Sequence, residues 1–251
     1  CLLSRGLGDV YKRQISSNML KTSFDKKSID QSDSFDNMKE NLKIISLRLI
    51  NQKGINNIEF DAQGYPIGFS QNSQEVLVPA FISAYTGNNA NSVGLNPISD
   101  KPKINWSIQY DGLSEGLKDI FSRISLRHSY RSNFTINNFQ SNLNYSENSF
   151  NSVGDYESKI FFSNINLVEQ FNPLIRVDLE LKNSLRLSFD VIKDRAVSLS
   201  LANNLITESW GDEYSIGIGY RARNLKLWSR FASTGNRFIG DLNTKLDFNI
   251  R

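Results

Sequence analysis

The chain has 251 residues, a net charge of +3 and a single cysteine, Cys1. Residues 1–14 (CLLSRGLGDVYKRQ) are unlike the rest and resemble the read-through of a sequencing adapter, so they are set aside from fold reasoning. That removes Cys1, Arg5, Lys12, Arg13 and Asp9 and lowers the charge to +1, which excludes disulfides, thiolate metal sites and cysteine nucleophiles and gives no electrostatic reason to expect a nucleic-acid partner.

Residues 15–35 are polar, rich in Ser, Asp and Lys, and read as a linker without fixed structure. Asp36 offers an N-cap for a short helix to about Ile50, with Met38, Leu42, Ile45 and Leu49 on one side. The run Asp61 to Gly68 is dense in turn formers and reads as a loop. It looks superficially like a calcium loop, but its carboxylates do not recur at the alternate positions such a loop needs. Ser73 offers another N-cap before Val76, Leu77, Ala80, Phe81 and Ala84 at helical spacing, with Pro79 expected to kink this helix or mark its start. A connector rich in Gly, Asn and Pro follows, so residues 36–103 read as a mixed region of loops and one or two short helices.

From Ile104 a period of two takes over, the signature of strands with two different faces. Trp106, Ile108 and Tyr110 alternate with polar residues. Ile124, Leu126, His128, Tyr130, Phe134 and Ile136 then share one face, with Arg127 and Arg131 opposite. A turn is expected at Asn137-Asn138, a polar loop over 146–158, and a bulge or break at Pro173, which has no amide to donate. Ile175, Val177, Leu179 and Leu181 alternate with Arg176, Asp178 and Glu180. After a turn at Lys182-Asn183-Ser184 come Leu185, Leu187, Phe189 and Val191. Further turns are expected at Lys193-Asp194-Arg195 and Ser209-Trp210-Gly211-Asp212. The latter leads into Tyr214, Ile216, Ile218 and Tyr220. A basic loop over 223–240 precedes a last alternating strand, which stops without a turn, so the sequence reads as a fragment cut at both ends.

The fold class expected for 104–251 is all-β, an antiparallel meander. Alternation fits both a soluble sandwich and a membrane barrel. Three features favour the barrel. The Ile124–Ile136 run is longer than ordinary strands of about 5–6 residues and closer to the about 9–11 of tilted membrane strands. Arg127, Arg131, Arg176, Asp178, Glu180 and Arg221 suit a wet lumen. Trp106, Tyr110, Tyr130, Tyr214 and Tyr220 lie near strand ends, as in aromatic girdles. Ile175, Val177, Leu179, Leu181, Leu185, Leu187, Phe189, Ile216 and Ile218 are then expected to face lipid.

Several runs carry a family resemblance: Phe171 through Leu185 (FNPLIRVDLELKNSL), Ser198 through Glu208 (SLSLANNLITE), Asp212 through Arg221 (DEYSIGIGYR) and Asn224-Leu-Lys-Leu227. Upstream, Asp61–Gly68, Ser73–Gly87, Trp106–Leu113 and His128–Ser132 carry the same likeness. Over residues 36–251 the chain resembles the C-terminal part of the SprA/Sov family, giant outer-membrane translocons of the type IX secretion system linked to gliding motility. It departs at 228–240, where the family is more basic and richer in Gly and Lys. The resemblance implies a slice of a very large transmembrane β-barrel in the outer membrane of a Gram-negative bacterium. It also implies a channel for folded cargo, with no catalysis and no cofactor, and accessory and plug proteins as partners.

Enzymatic alternatives have little to build on. His128 is the only histidine and lies on the apolar face, without the clustered Cys or carboxylates of a zinc site. Ser-His-Asp chemistry would need this same His. Asp178 and Glu180 share a face as a glycosidase pair does, but Arg176 beside them favours a solvated wall. The readings left are a channel wall, a soluble or surface β-sandwich binding module, and, more remotely, a hydrolase.

Overall fold

A computed structural model describes residues 11–26, 28, 31–99, 101–228 and 237–251. Residues 1–10 of the adapter-like segment, 27, 29 and 30 of the expected linker, residue 100 of the connector and 229–236 of the expected basic loop lie outside the described residues. The architecture is a largely antiparallel sheet with two helices, and no described helix is long and apolar enough to cross a membrane.

The elements are β1 (Tyr11–Ser16), α1 (Asp33–Gln52), α2 (Gln74–Thr86), β2 (Trp106–Tyr110), β3 (Phe121–Ser141), β4 (Ile160–Leu181), β5 (Leu185–Ser200), β6 (Leu205–Trp228) and β7 (Arg237–Ile250). The sheet order is β1-β3-β4-β5-β6-β7, with β2 also paired to β3, and the sheet does not close. Two compact units divide it. The first holds residues 1–105, 131–169 and 195–209; the second holds 106–130, 170–194 and 210–251.

In the first unit, α1 is capped four residues before the expected position. Ser32, in extended conformation, accepts the Phe35 N–H on its hydroxyl at 3.3 Å, leaving Asp36 to pair with Lys39 at 2.7 Å. Met38, Ile45 and Leu49 face the core as the spacing predicts, while Leu42 is partly buried. Pro79 does not mark the start of α2, which continues through it and ends at Gly87, whose φ of 65° suits a left-handed cap. A proline inside a helix costs about 3 kcal/mol. α2 is buried from Val76 to Thr86, so packing on every side outweighs that local loss. The helices lie on sheet residues Phe134, Ile136, Ile165, Leu167, Val197 and Leu199, forming one core.

The stretch read as a linker is built in. Met19 is fully buried in this core, and the Thr22 hydroxyl donates to the Tyr85 carbonyl at 2.7 Å. Composition misled because its few apolar contacts are made with residues far along the chain.

Three expected turns are strand. Asn137-Asn138 form a bulge in β3, where β1 slips register between Tyr11↔Phe139 and Arg13↔Ile136 and Asn138 takes a φ of 51°. β5 passes through 193–195 and β6 through 209–212, while the true hairpin turns fall at 182–184 and 201–204. β4 likewise passes through Pro173 without a break. β6 extends past residue 223 with a second bulge, marked by the register slip between Ala222 and Leu225 and the positive φ of Asn224.

Among the described residues, the second unit has no comparable core. Its buried apolar side chains are Ile124, Tyr130 and Phe171, with Trp106 stacked on Tyr130 at 4.5 Å.

Candidate functional site

The second unit presents a sheet with two chemically opposite faces, and the β6–β7 register fixes which residue lies on which. Cross-strand partners point to the same side. One side carries Tyr214↔Ile250, Ile216↔Phe248 and Ile218↔Leu246. The other carries Gly217↔Asp247, Gly219↔Lys245 and Arg221↔Asn243.

The apolar side is open. Ile216 is 51% exposed, Ile250 73% and Ile175 45%, and Phe189, Ile218, Leu246 and Phe248 are exposed as well. Val177, Leu179, Leu181, Leu185 and Leu187 are half-buried among their strand neighbours. A contiguous field of this kind far exceeds the scattered single hydrophobics of an ordinary soluble surface.

The polar side is bound together by ions. Arg176 Nε meets Asp178 Oδ2 at 2.9 Å, and its Nη1 reaches Asp190 at 3.4 Å. Arg186 pairs with Glu180 at 3.2 Å, Arg221 with Asp241 at 2.6 Å and Lys245 with Asp247 at 2.8 Å. Of these, Arg176, Asp178, Arg186, Arg221 and Lys245 border a groove of about 460 Å³, together with Ser188, Gly217, Gly219 and Asn243. A side chain at Gly217 would collide with the Ser188 hydroxyl and come within 2.8 Å of Asp247, so the glycine lets the three strands keep their polar groups together. Most of these charges are met by an opposite charge along or across the strands, while one buried carboxylate oxygen of Asp190, Oδ1, has no hydrogen-bond partner among the described residues. Asp178, the residue that suggested a glycosidase pair, is held by both Arg176 Nε and Nη2.

Of the expected lumen residues, Arg176, Asp178, Glu180 and Arg221 belong to this network. Arg127 is exposed opposite Gln109, and Arg131 is exposed within the first unit, so neither joins it. Among the expected girdle residues, Tyr110, Tyr214 and Tyr220 are exposed and Trp106 is partly so. Tyr130 is not at the surface: it is 1% exposed between Trp106 and Phe171, whose ring lies 5.0 Å away. Packing between two rings, stacked on Trp106 and tilted against Phe171, outweighed an interfacial position for this tyrosine. His128 is packed in the same aromatic group, and its Nδ1 lies 2.6 Å from the Leu174 carbonyl oxygen. The carbonyl only accepts, so Nδ1 carries the proton in this bond.

Asp190, Arg186, Asp241, Lys245 and Asp247 were missed as site residues. Parity along β5 and β7 was the signal that could have found them, since each sits in step with Arg176 or Arg221 through its strand partner. Asp61 accepts the Gln63 and Tyr65 amides, at 2.9 and 2.8 Å, which spends its carboxylate on its own turn.

Comparison with known proteins found no family model that matches the chain and no curated protein similar to it at a significant level.

Proposed function

We propose that the sheet of the second unit is a stretch of the wall of an outer-membrane β-barrel, its apolar face toward lipid and its ion-paired face toward a water-filled passage. The observation that carries this reading is the pairing of an open apolar face with a polar, ion-paired opposite face on the same strands. Strand length agrees. The stretches 121–130, 170–181 and 185–194 run to about ten residues each, near the about 9–11 that a tilted membrane strand requires. The full strands, of 21, 22 and 24 residues for β3, β4 and β6, exceed that need, so the bilayer is assigned only to their second-unit portions.

On the SprA/Sov resemblance of residues 36–251, this wall belongs to the protein-conducting channel of the type IX secretion system. In that role it passes folded cargo to the cell surface, supports gliding motility and works with accessory and plug proteins. The wall itself performs no catalysis.

The test uses the full chain reconstituted in bilayers, with Cys1 replaced and a single labelled cysteine at Ile216 or Ser215. The wall reading expects the probe at 216 to be quenched by spin-labelled lipid and the probe at 215 by aqueous iodide. Equal iodide quenching at both positions overturns it. Loss of the gene should also abolish surface delivery of secreted proteins; unchanged delivery removes the secretion role and leaves the barrel wall standing.

A second reading, a soluble or surface β-sandwich binding module, has one observation in favour of its soluble character: in the first unit the sheet is covered as in water-soluble layers, though by helices and not by a second sheet. A compact monomer in detergent-free buffer would support it.

A further inference from the structure

In the first unit, the start of β4 is completed by a side chain. The Gln74 amide, at the first residue of α2, donates from Nε2 to the Ile160 carbonyl and accepts the Phe162 N–H on Oε1 at 3.0 Å. These two main-chain groups flank Phe161 and are the pair that a neighbouring strand ordinarily fills. A primary amide has one donor edge and one acceptor, the same complement as a peptide group.

Gln74 stands at the wall of a cleft of about 920 Å³ that also includes Ile160 and Phe162. Its apolar lining includes Leu49, Val78 and Leu95, and its charged lining carries both signs, Lys53 and Lys159 with Glu75 and Glu147. Pockets that enclose ligands span about 300–1,000 Å³, so this one has room for several residues of extended chain. β4 stands between β3 and β5 in the sheet, and at this point two of its main-chain groups are filled by a side chain. The arrangement combines these groups with an apolar lining and charges of both signs. It reads main chain rather than a particular side-chain charge, which is the chemistry of strand addition.

We propose that this cleft binds an extended segment of a second polypeptide by strand addition at residues 160–162, with the Gln74 side chain as a placeholder that the incoming main chain displaces. The site lies wholly within the first unit and does not depend on the membrane role of the second.

The experiment measures binding of a short fluorescein-labelled peptide of alternating Val and Thr, flanked by Lys, to the full chain by fluorescence anisotropy. A second peptide of identical sequence carries N-methyl groups on alternate amides, which removes the donors of one strand edge. The expected result is saturable binding of the first peptide, at least tenfold weaker binding of the methylated one, and protection of the Phe162 amide from hydrogen exchange on binding. Gln74→Ala removes the placeholder's two hydrogen bonds and should tighten binding about tenfold. Val78→Lys, which puts a charge in the apolar lining, should weaken it by a similar factor. Should Gln74→Ala fail to fold, Gln74→Glu replaces it: a carboxylate keeps the Phe162 bond but loses the donor to Ile160, and binding should tighten by a smaller factor. The proposal is overturned by absence of saturable binding, by equal affinity for the methylated peptide, or by a placeholder variant that folds and binds no more tightly than the parent.

Discussion

Arg195 and Glu208 meet inside the first unit with Nε 2.7 Å from Oε1, and the arginine side chain is only 2% exposed. The rest of the guanidinium is satisfied too. Nη1 donates to the Thr22 carbonyl and hydroxyl, Nη2 to the Ser34 hydroxyl, and the group lies 5.3 Å from the centre of the Tyr85 ring. One buried cation thus ties the segment after β1, both helices and two strands together. Burying two charges is tolerable only with this degree of compensation. Arg195→Ala, which strands Glu208, should cost about 3–5 kcal/mol in denaturant unfolding. The double variant Arg195→Met, Glu208→Leu should recover most of that loss; equal losses for single and double variants would show that the pair is not the source.

On the apolar face of the second unit, Leu179→Arg should destabilise folding into bilayers by about 2–4 kcal/mol if that position lies near the mid-plane. Its neighbour Asp178→Asn keeps size and polarity and should change folding by less than about 1 kcal/mol, since partly exposed ion pairs contribute little. Equal tolerance at the two positions in a membrane-folding assay would contradict the assignment of faces.

Gly217 faces the Ser188 hydroxyl and Asp247 too closely for a side chain. Gly217→Val should cost about 1–3 kcal/mol through overpacking. Adding Ser188→Ala should restore part of it, so a double-mutant cycle reads the contact directly. Strictly additive effects would remove it.

Burial of Glu75 raises its carboxyl above the ordinary range, with Lys53 and a hydrogen bond to Ser158 opposing the shift. The folded state therefore holds this proton more tightly than the unfolded chain does. Stability from this group is fully present below the ordinary glutamate range and declines as pH rises from there through the raised value. Thermal unfolding of Glu75→Gln should match the parent at acidic pH and exceed it at neutral pH. A parent that gains on the variant as pH rises would reverse the sign.

The alternation of residues 175–181 and 214–220 was legible in the sequence because side-chain direction along a strand is a local property with a period of two. It divides each strand into an apolar and a polar side, and for residues 214–220 the β6–β7 register pairs Tyr214, Ile216 and Ile218 with Ile250, Phe248 and Leu246. The turns at 193–195 and 209–212 were misread for a physical reason. Lys193 and Arg195 interrupt the apolar face of β5, just as Glu208 and Asp212 interrupt that of β6, and polar clusters resemble turns. Within the second unit Lys193 meets Asp212 at 3.0 Å, and within the first Arg195 meets Glu208, so each interruption is answered across the strands.

Residues 15–26 mark the same boundary from the other side. Their composition says linker, yet Met19, Thr22 and Ser23 are buried. Thr22 bonds to Arg195, and Ser23 donates to Glu169 at 2.6 Å, partners far away in sequence. Rhythm and the helical faces of α1 and α2 were determined by the sequence alone, since each depends only on neighbours along the chain. Which polar residues are strand, which apolar face is covered and which remains open were decided only in the tertiary structure. Those outcomes depend on desolvation and pairing with residues that no local window contains.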